Sequence, residues 1–374
     1  MGNIIDYLQK NGHLPFSKEP FNEVDNLVLC QLSYVDFKDI VPDVCSNKNI
    51  TVKKACKAFF EKNSEKELYF SKSLLKTTPQ TLKAMAKTKR FKNAKLSHYV
   101  NEIDMDSQKQ FAALQIKLGD GSIYVAFRGT DDNIVSWQEA FNLSHEIVPS
   151  QIEAAKYLDR IMKKSKRNLR IGGHSKGGNL AMYASMKCSD KIKDRILEIY
   201  NNDGPGFAPE ILQSDDYLKI CNKIIRYTPE FSIFGTLFEY KGRSKIISSN
   251  AKGFQQHDCM NWEVSGTRFV YKDKFSKESK LVSDAISKWM NSLELDQRKD
   301  ISKSLFDALR AEGIQKIYDI SVQGAHSIKK ILKMFTGLSK PTKAALGSLL
   351  FLFVATWRKE LLSRTSLLKS NMGL

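Results

Sequence analysis

The chain of 374 residues lacks most of the features that assign a sequence to a special class at sight. Its six cysteines (Cys30, Cys45, Cys56, Cys188, Cys221 and Cys259) make no Cys-x-x-Cys pair and no metal-ligand spacing, which argues against a zinc module and for reduced thiols in a cytoplasmic protein. No internal repeat and no low-complexity segment is visible. The one conspicuous apolar run, residues 344–357, has 14 residues, short of the roughly 20 that span a bilayer. The first nine residues carry Asp6 in place of a basic leader and no apolar stretch follows, so no secretory signal is expected. Gly2 invites a myristoylation reading, but the sixth position is Asp6 where Ser or Thr would be needed. Histidine is scarce at six, and that scarcity becomes useful below.

Charge is present in excess of one sign. Fifty-nine basic against 41 acidic residues give a net charge of +18, which attracts anionic partners over long range without choosing among them. Two clusters stand out, Lys83, Lys87, Lys89, Arg90, Lys92 and Lys95, and Lys163, Lys164, Lys166 and Arg167. Both read first as solvated faces. Neither comes with interleaved aromatics or a nucleic-acid-binding motif, so nucleic acid is not an expected partner. Peripheral contact with an anionic membrane is the sharper alternative. Run 344–357, flanked by Lys343 and Arg358-Lys359, would then lie at the interface instead of being a buried or partner-binding helix.

The chemistry is concentrated in Gly172-Gly173-His174-Ser175-Lys176-Gly177-Gly178. Gly173-x-Ser175-x-Gly177 fits the nucleophile elbow of α/β-hydrolases. A serine hydroxyl is a poor nucleophile unless it is held near a base, and a sharp strand-to-helix turn holds it out while tolerating only small neighbours. The flanks agree. Asn168-Leu169-Arg170-Ile171 reads as the end of a strand, and Asn179 to Met186 is rich in helix formers and free of proline.

Such a serine needs a base, an acid and oxyanion donors. The Ser, acid, His order excludes His13, His98 and His145 as base, and His174 adjoins the serine too closely. His257, in the polar loop after Ile246-Ile247, is the expected base, and His326 reads as a surface residue of a Lys-rich tail. For the acid, Asp203 follows the strand Glu198-Ile199-Tyr200-Asn201-Asn202 and leads into Gly204-Pro205-Gly206. Glu230, one strand later after Lys223–Tyr227, is the alternative acid. Either could instead cap a following helix. Thr130, just after the strand Ser122–Phe127, offers an oxyanion donor or a helix N-cap. The Lys176 backbone N–H would be the second oxyanion donor. This scheme calls for no metal and no cofactor.

Phe127-Arg128-Gly129-Thr130, with Trp137 and Glu139 and then the Gly-His-Ser-x-Gly-Gly run, resembles the class 3 (fungal-type) lipases. The resemblance implies that Thr130 lines the oxyanion hole and that Asn133 to Phe141 is lid-like. The chain also resembles an uncharacterised bacterial lipase-like branch, a domain of unknown function. That likeness lies in Asn22 to Leu27, His174 to Ala181, Asp203-Gly204-Pro205-Gly206-Phe207 and Gln256-His257-Asp258, and covers residues 1 to about 270. Lys176 stands where secreted lipases usually have Leu, and the stretch from Gly129 to Ser175 is shorter than theirs. Both departures argue against a bulky triglyceride. The resemblance implies an ester or acyl-lipid substrate.

Along the chain, residues 1–100 read as a helical lead-in, with apolar stripes at Ala55, Phe59 and Phe60 and at Leu74 and Leu75. Gln110 to Phe127 reads as two strands turned by Gly119-Asp120-Gly121. Gln151 to Lys164 has helical periodicity, and strands then alternate with helices to about residue 270. The fold class expected is α/β: an α/β-hydrolase fold with a mostly parallel central sheet and helices on both faces. Residues 1–270 would form that domain, and residues 271–374 a helical extension with stripes at Ile286, Trp289, Met290 and Leu293 and at Ile301, Leu305, Leu309 and Ile314.

Overall fold

Ile123–Phe127 (β4) is buried at all five positions, the pattern of a strand covered on both faces. Tyr124 and Ala126 enter one apolar core, while Ile123, Val125 and Phe127 enter another. The computed structural model, which describes residues 1–65, 68, 78–316 and 319, places β4 in a nine-stranded sheet. The other members are β1 (Ile50–Thr51), β2 (Lys95–Asp104), β3 (Lys109–Lys117), β5 (Leu169–His174), β6 (Ile196–Asn202), β7 (Ile224–Pro229), β8 (Arg243–Ile247) and β11 (Tyr271–Lys272). They lie in the order β1-β2-β3-β4-β5-β6-β7-β8-β11. Strands β4 to β8 are mutually parallel, and the edges are antiparallel. A small hairpin of β9 (Val264–Ser265) and β10 (Arg268–Phe269) stands apart. The protein is thus mixed α/β, with a mostly parallel central sheet.

Helices α1 (Ile4–Asn11), α2 (Glu23–Leu32), α3 (Val52–Lys62) and α4 (Thr78–Lys87) share the core of Tyr124 and Ala126. After α5 (Ile134–Asn142), helices α6 (Pro149–Met162) and α7 (Lys176–Lys187) pack on the opposite face with Val125 and Phe127. The starts of α1 and α2 are written in the sequence as capping boxes, Asn3 with Asp6 and Asn22 with Asp25.

Asp25 does more than cap. It forms a fully buried ion pair with Arg90, in which Arg90 Nε donates at 2.8 Å. Tyr7 Oη donates to the same carboxylate at 2.7 Å. The remaining guanidinium hydrogens reach the carbonyls of Leu14, Glu19 and Pro20 at 3.2, 2.8 and 2.9 Å, and the group lies 4.0 Å from the Phe16 ring centroid. Burial pushes the Asp25 carboxyl up, and its bond to Arg90 pulls it back.

The hairpin turned at Gly119–Gly121 is present as β3 and β4, and the helix read over Gln151 to Lys164 is α6. The lead-in is not purely helical, since β1 and β2 lie within it. A register shift between Ser97 and Val100 breaks the alternation of β2, and Asn101 to Asp104 all face solvent, Ile103 included, so the segment carries no strand signature. Leu74, Leu75, His326 and the run 344–357 lie outside the described residues.

The chain divides into two units. The first comprises Met1–Asp131 and Ile147–Ser283 and holds the whole sheet. The second joins Asp132–Glu146 to the described residues from Asp284 onward. It contains α5, most of α8 (Lys277–Asn291) and α9 (Leu295–Ala311). Within it, the Phe141 and Phe306 rings meet at 6.3 Å. Ser302 Oγ donates to Asn142 Oδ1 at 2.5 Å, and Arg310 to Gln138 Oε1 at 2.7 Å. The Ile134 N–H is bonded to the Gln315 carbonyl at 2.9 Å. Ile301, Leu305 and Leu309 of the expected stripe are buried on α9.

Candidate active site

The carboxyl ends of parallel strands are where α/β proteins gather ligand-facing groups, and the candidate residues lie there. Ser175 follows β5 directly and is the N-cap of α7. Its backbone has φ 57° and ψ −133°, a region that costs a non-glycine residue about 1–3 kcal/mol. An N-cap serine ordinarily turns its hydroxyl back onto the helix N–H groups. The Ser175 hydroxyl makes no such bond.

The glycines of the motif make this turn possible. A methyl on Gly173 would lie 2.2 Å from the Gly177 carbonyl carbon, and one on Gly177 would lie 2.3 Å from the Phe127 carbonyl oxygen. Helix α7 can approach β4 and β5 this closely only because both positions lack a side chain.

Asp203 follows β6 with a positive φ of 53°, which Asp adopts more readily than most residues. Its side chain is completely buried. One carboxylate oxygen accepts the Ser232 hydroxyl at 2.5 Å, and the other is 2.6 Å from His257 Nδ1. Burial pushes the Asp203 carboxyl up, and the bond from Ser232 favours its ionised form. Burial pushes the His257 imidazole down, so the ring is neutral at neutral pH and donates Nδ1–H to Asp203. This pairing leaves the His257 Nε2 lone pair as the available base. The rings of His174 and Phe234 lie 4.5 and 4.6 Å from that of His257. Gln256 pins the loop, its side-chain oxygen accepting Phe231 N–H at 2.9 Å and its carbonyl accepting Trp262 Nε1–H at 2.8 Å. Among the described residues, no hydrogen bond joins Ser175 Oγ to His257.

Glu230, the alternative acid, is elsewhere. It lies at the end of β7, half-exposed, with Lys272 Nζ at 3.7 Å. Neither carboxylate caps a following helix: Ala208 precedes the helical turn after Asp203. Thr130 does not cap α5 either, because Asn133 is its N-cap. The segment Arg128-Gly129-Thr130 abuts the serine: a methyl on Gly129 would lie 3.1 Å from Ser175 Cβ. Gly129 N–H is bonded to Tyr34 Oη at 3.2 Å, which leaves the Thr130 N–H as the next donor along the loop. The Lys176 side chain runs inward, its ammonium donating to the Gln110 carbonyl at 2.8 Å. Its backbone N–H belongs to the first turn of α7, the positive end of the helix dipole.

Tyr34, Ser232 and Phe234 escaped the sequence reading. Ser232 and Phe234 follow the strand-end pair Pro229-Glu230, a position that marks candidates. Tyr34 has no local signal, since it lies 140 residues from the histidine it meets. Among the described residues no group of His, Cys, Asp and Glu is arranged to hold a metal ion. No described helix is long and apolar enough to cross a membrane.

A family model described as Mbeg1-like matches residues 85–307, more than half of the chain. None of the curated proteins matches in sequence. Among solved structures, the chain is similar to the native Rhizomucor miehei lipase propeptide complex, with 14% identity over 57% of this chain and 77% of that one and a TM-score of 0.31. A deletion mutant of the same complex matches with 13% identity over 57% and 76%, also at a TM-score of 0.31.

Proposed function

The chain belongs to the Mbeg1-like family, and from that premise we propose that it is a serine hydrolase of α/β-hydrolase fold that cleaves carboxylic esters through an acyl-enzyme. Ser175 attacks the acyl carbon while His257 Nε2 takes its proton. Asp203 holds the imidazole in the tautomer that leaves Nε2 bare and stabilises the imidazolium that forms. The backbone N–H groups of Thr130 and Lys176 face the developing oxyanion. His257 then returns the proton to the leaving alkoxide, and water repeats the sequence to release the acid.

The observation that carries this reading is the pairing of two costly features. The Ser175 backbone is strained while its hydroxyl is unused as a cap, and a 2.6 Å hydrogen bond between His257 and the buried Asp203 stands at the end of the neighbouring strand. A scaffold has no need of either. The substrate in this scheme is an ester or acyl lipid met in the cytoplasm, where the basic surface favours an anionic membrane. No metal or organic cofactor enters the scheme.

The test is hydrolysis of p-nitrophenyl esters from short to long acyl chain, with fluorophosphonate labelling, for the native protein and Ser175→Ala. Turnover and labelling that vanish in the variant support the reading. A native protein that neither turns over nor labels at Ser175 overturns it in favour of a binding role for the fold.

A further inference from the structure

The loops that carry the groups of the proposed reaction are joined by one chain of hydrogen bonds running through two residues that the reaction does not use. Tyr34, in the loop after α2, is buried. Its hydroxyl accepts Gly129 N–H at 3.2 Å and stands 3.1 Å from His174 Nδ1. The His174 carbonyl oxygen, 3.3 Å away, is a second acceptor for the same phenol hydrogen. Across the imidazole, His174 Nε2 is 2.8 Å from the carbonyl oxygen of His257.

The directions of these bonds follow from what each atom can do. A carbonyl oxygen only accepts, so His174 Nε2 carries the hydrogen. Burial, with the neighbouring His257 adding to it, pushes His174 down to about 3, so the ring is neutral. Nδ1 is then bare, and the Tyr34 O–H is its donor. The order is Gly129 N–H to Tyr34 Oη, Tyr34 O–H to His174 Nδ1, and His174 Nε2–H to His257 O. With both nitrogens committed, His174 is excluded as the base for the serine beside it.

We infer that Tyr34 and His174 are positioning residues, a clamp that holds the oxyanion loop at Gly129-Thr130 and the base loop at His257 in register with Ser175. The inference rests on the serine-hydrolase reading. Its physical basis is that reacting groups must be held to within fractions of an ångström, and a displacement of about 1 Å by a distant change can cost on the order of 10²-fold in rate. The tilted contact of the His174 ring with that of His257, centroids 4.5 Å apart and planes at 37°, limits how the base can rotate while the hydrogen bond holds its loop.

Tyr34→Phe keeps the ring and removes the hydroxyl. His174→Phe keeps a ring against His257 and removes both hydrogen bonds, while His174→Gln keeps a donor toward the His257 carbonyl. Ester turnover is measured per site titrated with fluorophosphonate, alongside Tm. Tyr34→Phe and His174→Phe should each lose on the order of 10²-fold in kcat with KM near native, and His174→Gln should recover part of the loss. The double variant should lose no more than His174→Phe alone, because both cut one chain. Variants with a lower Tm or fewer titratable sites but native kcat per site would show a packing role only and overturn the inference.

Nitrogen-15 NMR of the labelled histidines in the native protein is a readout independent of turnover. His174 protonated at Nε2 is expected, and protonation at Nδ1 overturns the clamp even in an active enzyme. The expected tautomer in a protein unreactive at Ser175 instead sinks the hydrolase reading, and the catalytic purpose of the clamp with it.

Discussion

Cutting the Asp25–Arg90 pair should destabilise the first unit more than any other polar substitution outside the candidate site. Both side chains are fully buried, and the removal of one partner from such a pair typically costs about 3–5 kcal/mol because the other charge is stranded. Arg90→Met leaves the Asp25 carboxylate with only Tyr7 Oη at 2.7 Å and the Asn22 N–H at 3.0 Å. Asp25→Leu strands the guanidinium. For an isolated pair, replacing both members by apolar residues often restores stability. Here it should not. Arg90 also satisfies the carbonyls of Leu14, Glu19 and Pro20, and a buried acceptor left unpaired costs about 1–3 kcal/mol. The double variant should therefore remain at least about 2 kcal/mol below native, a figure reduced from three such acceptors because water reaches part of this loop. Urea denaturation followed by far-UV circular dichroism measures the cost, and amide exchange in β4 to β6 assigns it to the first unit. Single variants within about 1 kcal/mol of native, or a double variant as stable as native, would refute the reasoning.

Other outcomes follow from the candidate site. Asp203→Asn should lower ester turnover by on the order of 10⁴-fold, as a mis-set histidine tautomer does in serine hydrolases, whereas Glu230→Gln should stay near native; the reverse order in kcat/KM would transfer the acid role to Glu230. Because burial pushes His257 down, the base form persists below the ordinary imidazole value of about 6.5, and the acid limb of kcat/KM against pH should fall below it; a limb at or above that value contradicts the buried, neutral base. His174 and His257 also tie stability to pH: the unfolded chain binds protons below about 6.5 that the folded chain does not. Their contribution is complete above that pH and is lost as pH falls toward about 3, the His174 value, which a Tm series should follow. Gly177→Ala places a methyl 2.3 Å from the Phe127 carbonyl oxygen and should cost about 1–3 kcal/mol together with labelling at Ser175; a native Tm with full labelling would show that the elbow yields more easily than its geometry implies.

What could be read in the sequence was local. The elbow was legible because strand, Gly173-x-Ser175-x-Gly177 and helix are contiguous, and the spacing itself encodes the close approach of α7 to β4. Asp203 and His257 were reached by chain order and by position at strand ends, a coarse filter that left Glu230 open; the 2.6 Å contact between His257 Nδ1 and Asp203 is what favours Asp203 in the proposed scheme. Contacts between distant segments had no such trace. Nothing around Tyr34 signals a partner 140 residues away, and a bulge followed by a solvent-facing outer half hid β2. The union of residues 132–146 with the chain beyond 284 was likewise invisible, because the helical pattern of α5 does not say which helix covers it.

That discontinuous second unit bears on how the protein is made. Helix α5 buries Ile134 and Val135 and meets α9 through Phe141 and Phe306, but α9 begins only at Leu295. A ribosome moving at about 5–20 residues per second emits the two halves roughly ten to thirty seconds apart. During that interval the first unit receives its remaining strands, while α5, which interrupts it in sequence, waits for its partner α9. Chaperone engagement of nascent chains stalled between residues 150 and 290, and its release once α9 has emerged, would be the cellular trace of this order of assembly.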